Sequence, residues 1–510
     1  MLAKVRTASL TGTDGSPVTV EADISGGLPS YNVVGLAGAT VKESEGRVRA
    51  AILNAGYKYP RNRVTVNLSP ANVRKTGSHF DLAIAAAIIL AVEKNDGSCL
   101  SGCAFFGELT LDGTVASVRG ALPLALCVME AGVRTVIVPE GNAEEVSTAR
   151  GLRVISVRSL PDVIRFMRDP GSFPAYVGRG RETAADAGRP ALDYIDVKGQ
   201  ESAKRVMEIC AAGAHSILMT GPPGSGKTML AERLPGILPD MTFPEKLQVT
   251  KIHSIAGLLK DGSGLVSERP FCAPHHTITR AAMVGGGRDP MPGQLSIAHY
   301  GVLFLDEAPL FDSAVLEAMR QPLEEGRVMI SRRDGAAEFP CRVILVAAAN
   351  PCKCGFAGDQ THKCTCTARE LASYKNRLSG PVLDRIDMLV QIPRVKYREI
   401  ENEGTGLSSS EMKETVMRAR AAQLERYSGE KILFNAELTP PLIRKYCPLG
   451  AECREFLGLA YDRLGLSIRG RDRIIKLSRT IADIDGKEEI DAACVAEALQ
   501  YRTGGGRKGI

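Results

Sequence analysis

A phosphate-binding pattern stands near the middle of the chain. Gly221, Gly226, Lys227 and Thr228 match G-x-x-x-x-G-K-[ST] at every position. In such a loop the glycines let backbone N–H groups surround the phosphates, the lysine reaches the β- and γ-phosphates, and the hydroxyl is a ligand of Mg²⁺. The sequence therefore predicts a site for a nucleoside triphosphate and Mg²⁺, built from Gly221, Pro222, Pro223, Gly224, Ser225, Gly226, Lys227 and Thr228.

Two adjacent acids follow an apolar run further along the chain. Asp306 and Glu307 come directly after residues 301–305. By itself, such a pair is typical of an exposed acidic turn. Together with the phosphate-binding pattern it indicates hydrolysis, with Asp306 in the Mg²⁺ shell and Glu307 polarising the attacking water.

Four cysteines form two C-x-C pairs within a short stretch, namely Cys352, Cys354, Cys364 and Cys366. Four thiolates so close together are able to enclose one tetrahedral Zn²⁺. Two disulfides and four unrelated thiols are the alternatives. The sequence begins without a signal-peptide pattern, so we expect a cytoplasmic protein in a reducing compartment, where disulfides are rare.

The residues around these motifs predict the elements that position them. Apolar runs at 216–220, 301–305 and 343–349 have the uninterrupted hydrophobicity of central parallel strands, and a helix is expected to begin at Lys227. Nearer the N-terminus, strand-like and helix-like patterns alternate, which makes the class multidomain α/β. Strands are predicted there at 18–22, 64–68, 135–138 and 154–157, and helices at 42–55, 81–92 and 122–131.

The length of 510 residues exceeds what one hydrophobic core supports, so several domains are expected. We predict a first domain over 1–170, a Gly/Pro-rich linker over 171–192, a parallel-sheet core over 193–397 and a helical lid over 398–510. The longest apolar run, 82–92, is shorter than the roughly 20 residues of a membrane-spanning helix, so no membrane association is expected. A net charge of +6 permits a polyanionic partner without requiring one.

The order of these motifs resembles that of AAA+ ATPases, and further residues take their expected roles from this resemblance. Asn350, at the end of the third apolar run, looks like sensor 1, a polar residue that contacts the γ-phosphate or the lytic water. Residues 379–387 resemble the L-x-D-R-[FI]-D segment of the branch containing magnesium chelatase and the MCM helicases. Arg385 there matches the arginine finger, which acts on a neighbouring subunit's nucleotide; a salt-bridged surface arginine is the alternative. Arg469 best matches the sensor 2 arginine of the lid, with Arg473 as the second choice.

Matching segments across the whole length are similar to one family, the ComM/YifB magnesium-chelatase-like AAA+ ATPases. These segments are 25–29, 34–36, 269–277, 284–287, 292–299, 320–326 and 478–483. The resemblance implies ATP and Mg²⁺ as ligands and a homo-oligomer, a hexameric ring. It also implies a helicase that drives branch migration on branched or single-stranded DNA during natural transformation.

The first domain resembles the C-terminal domain of Lon proteases, which has a ribosomal-S5-like fold, through residues 120–139. The catalytic lysine of Lon falls at Leu122 and the serine near His79, so neither residue of the dyad is present. Ser78, one position away, has no evident base. We therefore predict a non-catalytic scaffold.

A hairpin pattern occupies residues 328–339, where two alternating arms flank Asp334-Gly335. In an AAA+ ring a hairpin at this point would face the pore, where Arg332 and Arg333 suit DNA phosphates. A solvated hairpin tip is the alternative. The insertion over 255–292 looks like a second pore loop, with modest basic content.

Three classes of function remain: an ATP-driven DNA motor, a magnesium-chelatase motor subunit and an ATP-dependent protease. The missing dyad disfavours the protease. A Lon-like first half is expected to be foreign to the chelatase subunit, which favours the DNA motor. Stimulation of ATP hydrolysis by DNA would separate these two.

Overall fold

The N-terminal part folds around a seven-stranded sheet. The computed structural model describes residues 2–180, 192–332, 335–358, 362–378, 385–395 and 406–503. Three neighbouring strands of the sheet pair antiparallel, and its other pairs are parallel. In spatial order the strands are Ser30–Val34, Arg63–Ser69, Asp14–Ser25, Leu2–Thr11, Cys103–Phe105, Thr135–Pro139 and Arg153–Val157.

Helices cover both faces of this sheet. In one strand, Ile137 joins one apolar cluster while Val136 and Val138 join another, as the two-residue period of a strand requires. Phe80–Val92 fills the first cluster and Ala121–Glu130 the second. Other elements described here are Ser98–Leu100, Glu140–Ser147, Leu160–Arg168 and the short strand pair Glu108–Leu109 with Val115–Ala116.

The helix predicted over 42–55 is two helices. Ala39–Lys42 and Ser44–Asn54 meet at Glu43. The Ser44 hydroxyl donates to the carbonyl oxygen of Val41 at 2.7 Å, a local hydrogen bond that competes with the helical ladder and favours the break. The other predicted helices and strands of this part are present.

The central part is built on five parallel strands. Because they are parallel, their carboxyl ends meet at one edge of the sheet and their amino ends at the other. The predicted parallel-sheet core is confirmed. The strands in spatial order are Phe271–Cys272, Val302–Leu305, Ile344–Ala349, Ile217–Thr220 and Met388–Gln391. The helices of this part are Tyr194–Asp196, Glu201–Gly213, Lys227–Ile237, Phe243–Ala256, Arg280–Val284, Gln294–Ile297, Ala308–Leu310, Ser313–Glu325 and Ala368–Leu378.

The predicted hairpin is present, and its second strand already begins at Gly335. Arg327–Arg332 pairs antiparallel with Gly335–Pro340, and Arg332 lies opposite Gly335. Gly335 therefore belongs to the second strand rather than to the turn. Arg333 lies outside the described residues, as does the side chain of Arg332.

Backbone hydrogen bonds tie the N-terminal part to the central part. The N–H of Thr13 donates to the carbonyl oxygen of Glu338, in the second hairpin strand, at 3.2 Å. The N–H of Gly120 donates to the carbonyl oxygen of Ser254 at 3.1 Å. The insertion at 255–292 also contains the short strands Gly285–Gly286 and Met291–Pro292, which pair with each other.

Helices make up the C-terminal part. The first begins with a capping box formed by Ser408 and Glu411. Apolar side chains of these helices share one cluster with the central strands, so the helical part packs directly on the core. The domain limits at 170, 192 and 397 stay predictions. The helices are Ser409–Arg426, Asn435–Glu437, Pro440–Tyr446, Ala451–Leu464, Ile468–Ile484 and Ala492–Thr503. Within the described ranges no helix combines the length and apolarity needed to cross a bilayer.

Candidate functional site

The phosphate-binding pattern lies at the carboxyl edge of the central sheet. Strand Ile217–Thr220 leads into it, and helix Lys227–Ile237 begins where predicted. Gly224 and Gly226 have φ of +74° and +86°, in the left-handed region that favours glycine. A side chain at Gly221 would collide with the carbonyl oxygen of Ile392. Glycine is therefore required at 224 and 226 by the backbone conformation, and at 221 by the close approach of another backbone segment.

The lysine of this loop meets the predicted sensor residue. Lys227 Nζ donates to the carbonyl oxygens of Gly221 at 2.8 Å and Pro222 at 2.9 Å, and to Asn350 Oδ1 at 3.3 Å. Burial lowers the pKa of Lys227, while the carboxylates of Asp306 and Glu307 act in the opposite direction. The ammonium group of Lys227 and the side-chain amide of Asn350, which follows strand Ile344–Ala349, therefore lie side by side.

The predicted magnesium ligands also lie together. Thr228 Oγ1 donates to Asp306 Oδ2 at 3.2 Å, and both residues are exposed at the carboxyl edge. A hydroxyl and a carboxylate are the oxygen ligands that Mg²⁺ accepts, so the residues present fit this ion. Glu307 follows with an exposed side chain and φ of +49°, a conformation that residues other than glycine rarely adopt.

A cleft of about 460 Å³ lies beside the phosphate loop. Gln200, which lines it, donates through Nε2 to the carbonyl oxygens of Ser225 at 3.2 Å and Pro393 at 2.8 Å. The sequence analysis missed this cleft, because its two walls, 197–202 and 393–395, are far apart in the chain. No local pattern in either segment signals a ligand.

The two predicted arginines lie at the opposite edge of the sheet. Arg385 and Arg469 line one cavity of about 670 Å³. Ser216, Gly301 and Val343 line the same cavity, and each stands just before a parallel strand begins. The cavity is therefore at the amino edge, whereas Lys227 and Asp306 are at the carboxyl edge.

An acid that the sequence analysis missed pairs with Arg385. Glu324, at the end of helix Ser313–Glu325, accepts a hydrogen bond from the Arg385 guanidinium, which holds the pKa of Glu324 below its usual value. Glu324 lies in the segment 320–326 that carries the family resemblance, the one signal that pointed to it. Arg473 instead forms an ion pair with Asp387, 3.4 Å from Nε to Oδ1.

The four cysteines of the predicted metal site form one cluster. Their sulfur atoms lie within 4.8 Å of one another. Cys352 Sγ is 3.2 Å from Cys354 Sγ and 3.7 Å from Cys364 Sγ, distances too long for a disulfide bond. Tetrahedral Zn²⁺ with Zn–S bonds of about 2.3 Å separates its sulfur ligands by about 3.8 Å. The donor set and the spacing both fit zinc.

A basic cleft lies between the N-terminal and central parts. Its volume is about 850 Å³, and it is lined by Lys42, Asn72 and Arg74 from one side and Arg288 from the other. Among the described residues, those lining it include no Asp or Glu. Lys42 and Arg288 are both exposed.

The positions that correspond to the Lon dyad serve the N-terminal core. Leu122 is fully buried, and His79 Nε2 lies 2.9 Å from the carbonyl oxygen of Ala8. Burial lowers the pKa of His79 to about 4. The Ser78 hydroxyl donates to Glu108. The burial of Leu122 and the hydrogen bonds of His79 and Ser78 explain these residues as structural ones, with no need for a proteolytic role.

Comparison with known proteins settles the family. A model described as "Magnesium chelatase, subunit ChlI" matches residues 193–400, and one for its C-terminal part matches 406–502. The competence protein ComM of Haemophilus influenzae is 41% identical over 506 residues, 98% of this chain and 97% of that protein. YifB of Escherichia coli is 40% identical over 505 residues, with the same coverage. This chain belongs to the ComM/YifB family of magnesium-chelatase-like AAA+ proteins. The membership confirms the predicted resemblance and indicates an ATPase that uses ATP and Mg²⁺.

Two further matches are to a Lon protease and to a second magnesium-chelatase family model. A Lon protease of Roseiflexus castenholzii is 28% identical over 174 residues, which covers 32% of this chain and 21% of that protease. A model described as "Subunit ChlI of Mg-chelatase" matches residues 20–142. The expectation that the first half is foreign to a chelatase subunit was therefore wrong, and this half does not separate the two functions.

Proposed function

We propose that this ComM/YifB family member is a cytoplasmic, ATP-driven motor that assembles into a hexameric ring and promotes branch migration of DNA during natural transformation. One observation carries the proposal. The phosphate loop lies at the carboxyl edge of the central parallel sheet, whereas Arg385 and Arg469 lie at its amino edge. The name of the Haemophilus relative, a competence protein, supports the biological setting.

In this proposal the carboxyl edge binds Mg²⁺–ATP. The backbone of 221–226 and Lys227 hold the phosphates, while Thr228 and Asp306 hold the ion. Glu307 polarises the attacking water, and Asn350 contacts the γ-phosphate. The contacts of Lys227 with Asn350 and of Thr228 with Asp306 support these roles, because they bring the groups to one site. The cleft beside Gln200 is the place for the base, since it adjoins the loop through Ser225.

The amino edge completes the site of a neighbouring subunit. Arg385 is close to where strand Met388–Gln391 begins, whereas the phosphate loop follows the end of the adjacent parallel strand. Arg385 is thus on the wrong side of the sheet to reach the nucleotide of its own chain. An arginine finger acting between subunits accounts for this placement and requires an oligomer. Arg469, in the same cavity, would act there as well.

DNA is the proposed partner of two basic features. One is the hairpin with Arg332 and Arg333. The other is the basic cleft with Lys42, Arg74 and Arg288, whose lining suits phosphates because it carries one sign of charge. Zinc is the proposed ligand of the four-cysteine cluster.

A magnesium-chelatase motor is the second candidate, favoured by the descriptions of the three matching family models. The test is ATP hydrolysis by the full chain with and without forked or single-stranded DNA. We expect DNA to accelerate phosphate release and forked DNA to be processed only with ATP. Hydrolysis that DNA leaves unchanged, with no movement of branches, would favour the chelatase motor.

A further inference from the structure

The cysteine cluster is joined at both ends to the proposed catalytic site. Its first cysteine, Cys352, comes two residues after Asn350, and its last, Cys366, two residues before helix Ala368–Leu378. That helix packs against Ala308–Leu310, the turn directly after Glu307. Burial raises the pKa of Tyr374, on the same helix, to about 12, while the nearby backbone of Asn350 acts in the opposite direction.

The cluster also touches the phosphate loop. Gly355 lies so close to Pro223 that an added Cβ would be 2.7 Å from both Cγ and Cδ of the proline ring. Gly355 has φ of +87°, and its N–H donates to the carbonyl oxygen of Cys352 at 3.0 Å. The turn that contains Cys354 therefore rests directly on the phosphate loop.

The sulfur cluster joins the two ends of a segment whose described residues form no regular secondary structure. Cys352 is buried, but Cys354, Cys364 and Cys366 are only half-buried, and residues 352–358 and 362–366 contain no helix or strand. In such a segment the free energy of metal binding supplies much of the local folding free energy. Without a metal, the four cysteines lose the metal–sulfur bonds that would hold the turn around Cys354 in place.

We propose that a metal ion with four thiolate ligands, Zn²⁺ by its chemistry, braces the nucleotide site by fixing Asn350 and the phosphate loop through Gly355 and Pro223. The inference rests on the zinc proposed above and adds a role for it. Loss of the metal frees Asn350 and Pro223 from a common support, and nucleotide binding weakens. The ATP site is thereby made sensitive to chelators and to thiol oxidants.

The first test removes a ligand. Purified full-length protein and its Cys364→Ser variant are assayed for zinc content, for binding of a fluorescent ATP analogue and for phosphate release. We expect about one zinc per chain in the parent and less in the variant, with turnover reduced about a hundredfold, the cost of a misplaced group in a catalytic site. Cys447→Ser, in a buried cysteine outside the cluster, serves as the control.

The second test keeps all four thiols. Gly355→Ala and Gly358→Ala impose similar backbone strain, because φ is +87° at Gly355 and +81° at Gly358. Only the Cβ at position 355 meets Pro223; at position 358 nothing lies within 4 Å. We expect zinc to be retained in both and ATP binding to weaken in Gly355→Ala alone.

The possible outcomes distinguish this supporting role of the metal, the brace, from the proposed zinc site and from the proposed ATPase activity. Zinc-free protein that binds and hydrolyses ATP like the parent, or two glycine variants with equal affinity, would overturn the brace and leave the ATPase intact. An absence of zinc from gently purified protein that still hydrolyses ATP would overturn both the metal and the brace. A parent that holds zinc but never hydrolyses ATP would instead refute the proposed motor, and with it a brace for that activity.

Discussion

Glu307 combines an exposed carboxylate with a strained backbone. Its φ of +49° places it in the left-handed region, and its N–H donates to Asp306 Oδ1 at 2.9 Å. The strained turn orients Asp306 toward Thr228 while leaving the Glu307 carboxylate free of the sheet. Unusual conformations of this kind persist where the surrounding fold holds them, and they concentrate at functional sites.

Exchange of the Glu307 carboxylate for an amide tests its role. The Glu307→Gln variant is expected to bind ATP normally but to hydrolyse it about 10²–10⁴-fold more slowly, because it loses a general base. Lys227→Ala should abolish binding instead. Titration with a fluorescent nucleotide and a phosphate-release assay separate the two effects. Glu317→Gln, an exposed acid on helix Ser313–Glu325, is the control. Parent-like turnover by Glu307→Gln would remove Glu307 from the mechanism.

The hairpin and the basic cleft are the two elements that we propose bind DNA. The hairpin strands are paired over their whole length, so the tip is carried on a defined element. The cleft combines residues from two parts of the chain that meet in the fold, among them Lys42 and Arg288. A polyanion held at both places would link the hairpin to the N-terminal part.

Replacement of Arg332 and Arg333 by alanine tests the hairpin. We expect ATP hydrolysis without DNA to continue, because neither residue belongs to the phosphate loop or the acidic turn. DNA stimulation and branch migration should be lost. The salt dependence of DNA binding should flatten by about one unit of slope for each phosphate contact removed. Normal branch migration by this variant would show that the hairpin tip is merely solvated.

The basic cleft is tested by Lys42→Ala combined with Arg288→Ala. The expected result is weaker DNA binding at all sequences and a smaller salt slope, by about two units for two lost contacts. Arg280→Ala is the matched control, since Arg280 is an exposed arginine of the same insertion that lies outside the cleft. Equal DNA affinity of the double variant and the control would exclude the cleft as a DNA surface.

The sequence predicted those elements whose chemistry lies within one short segment. The phosphate loop and the strands before Asp306 and Asn350 depend on neighbours in the chain. The pairing of Arg385 with Glu324 spans 61 residues, and that of Gln200 with Pro393 spans 193. Local periodicity carries no information about such contacts, which arise when the sheet brings strand ends together. The helix break at Glu43 was missed although its cause is local. The hydrogen bond from the Ser44 hydroxyl to the carbonyl oxygen of Val41 favours the break within a stretch whose apolar spacing is helical.

In the proposed ring, the carboxyl edge of one subunit's central sheet meets the amino edge of its neighbour's sheet. Arg385→Ala should leave ATP binding nearly intact and lower turnover about 10³-fold, the effect expected from the loss of an arginine finger. Mixing it with Lys227→Ala should restore part of the activity, since some interfaces then pair an intact loop with an intact arginine. Phosphate release across mixing ratios measures this. Mixtures that never exceed either parent would argue against a shared site.

The contact between the turn at Gly12 and the hairpin has a mechanical consequence. An added Cβ at Gly12 would lie 2.6 Å from the carbonyl oxygen of Glu338, and Thr13 hydrogen-bonds to the same oxygen. A hairpin that shifts with each ATP consumed must then drag this turn with it or break the contact. If the contact is kept, movement of the hairpin in the proposed ring also moves the N-terminal sheet of the same subunit. A fluorophore pair placed on the N-terminal sheet and on the central sheet would then report the movement without contacting DNA or nucleotide.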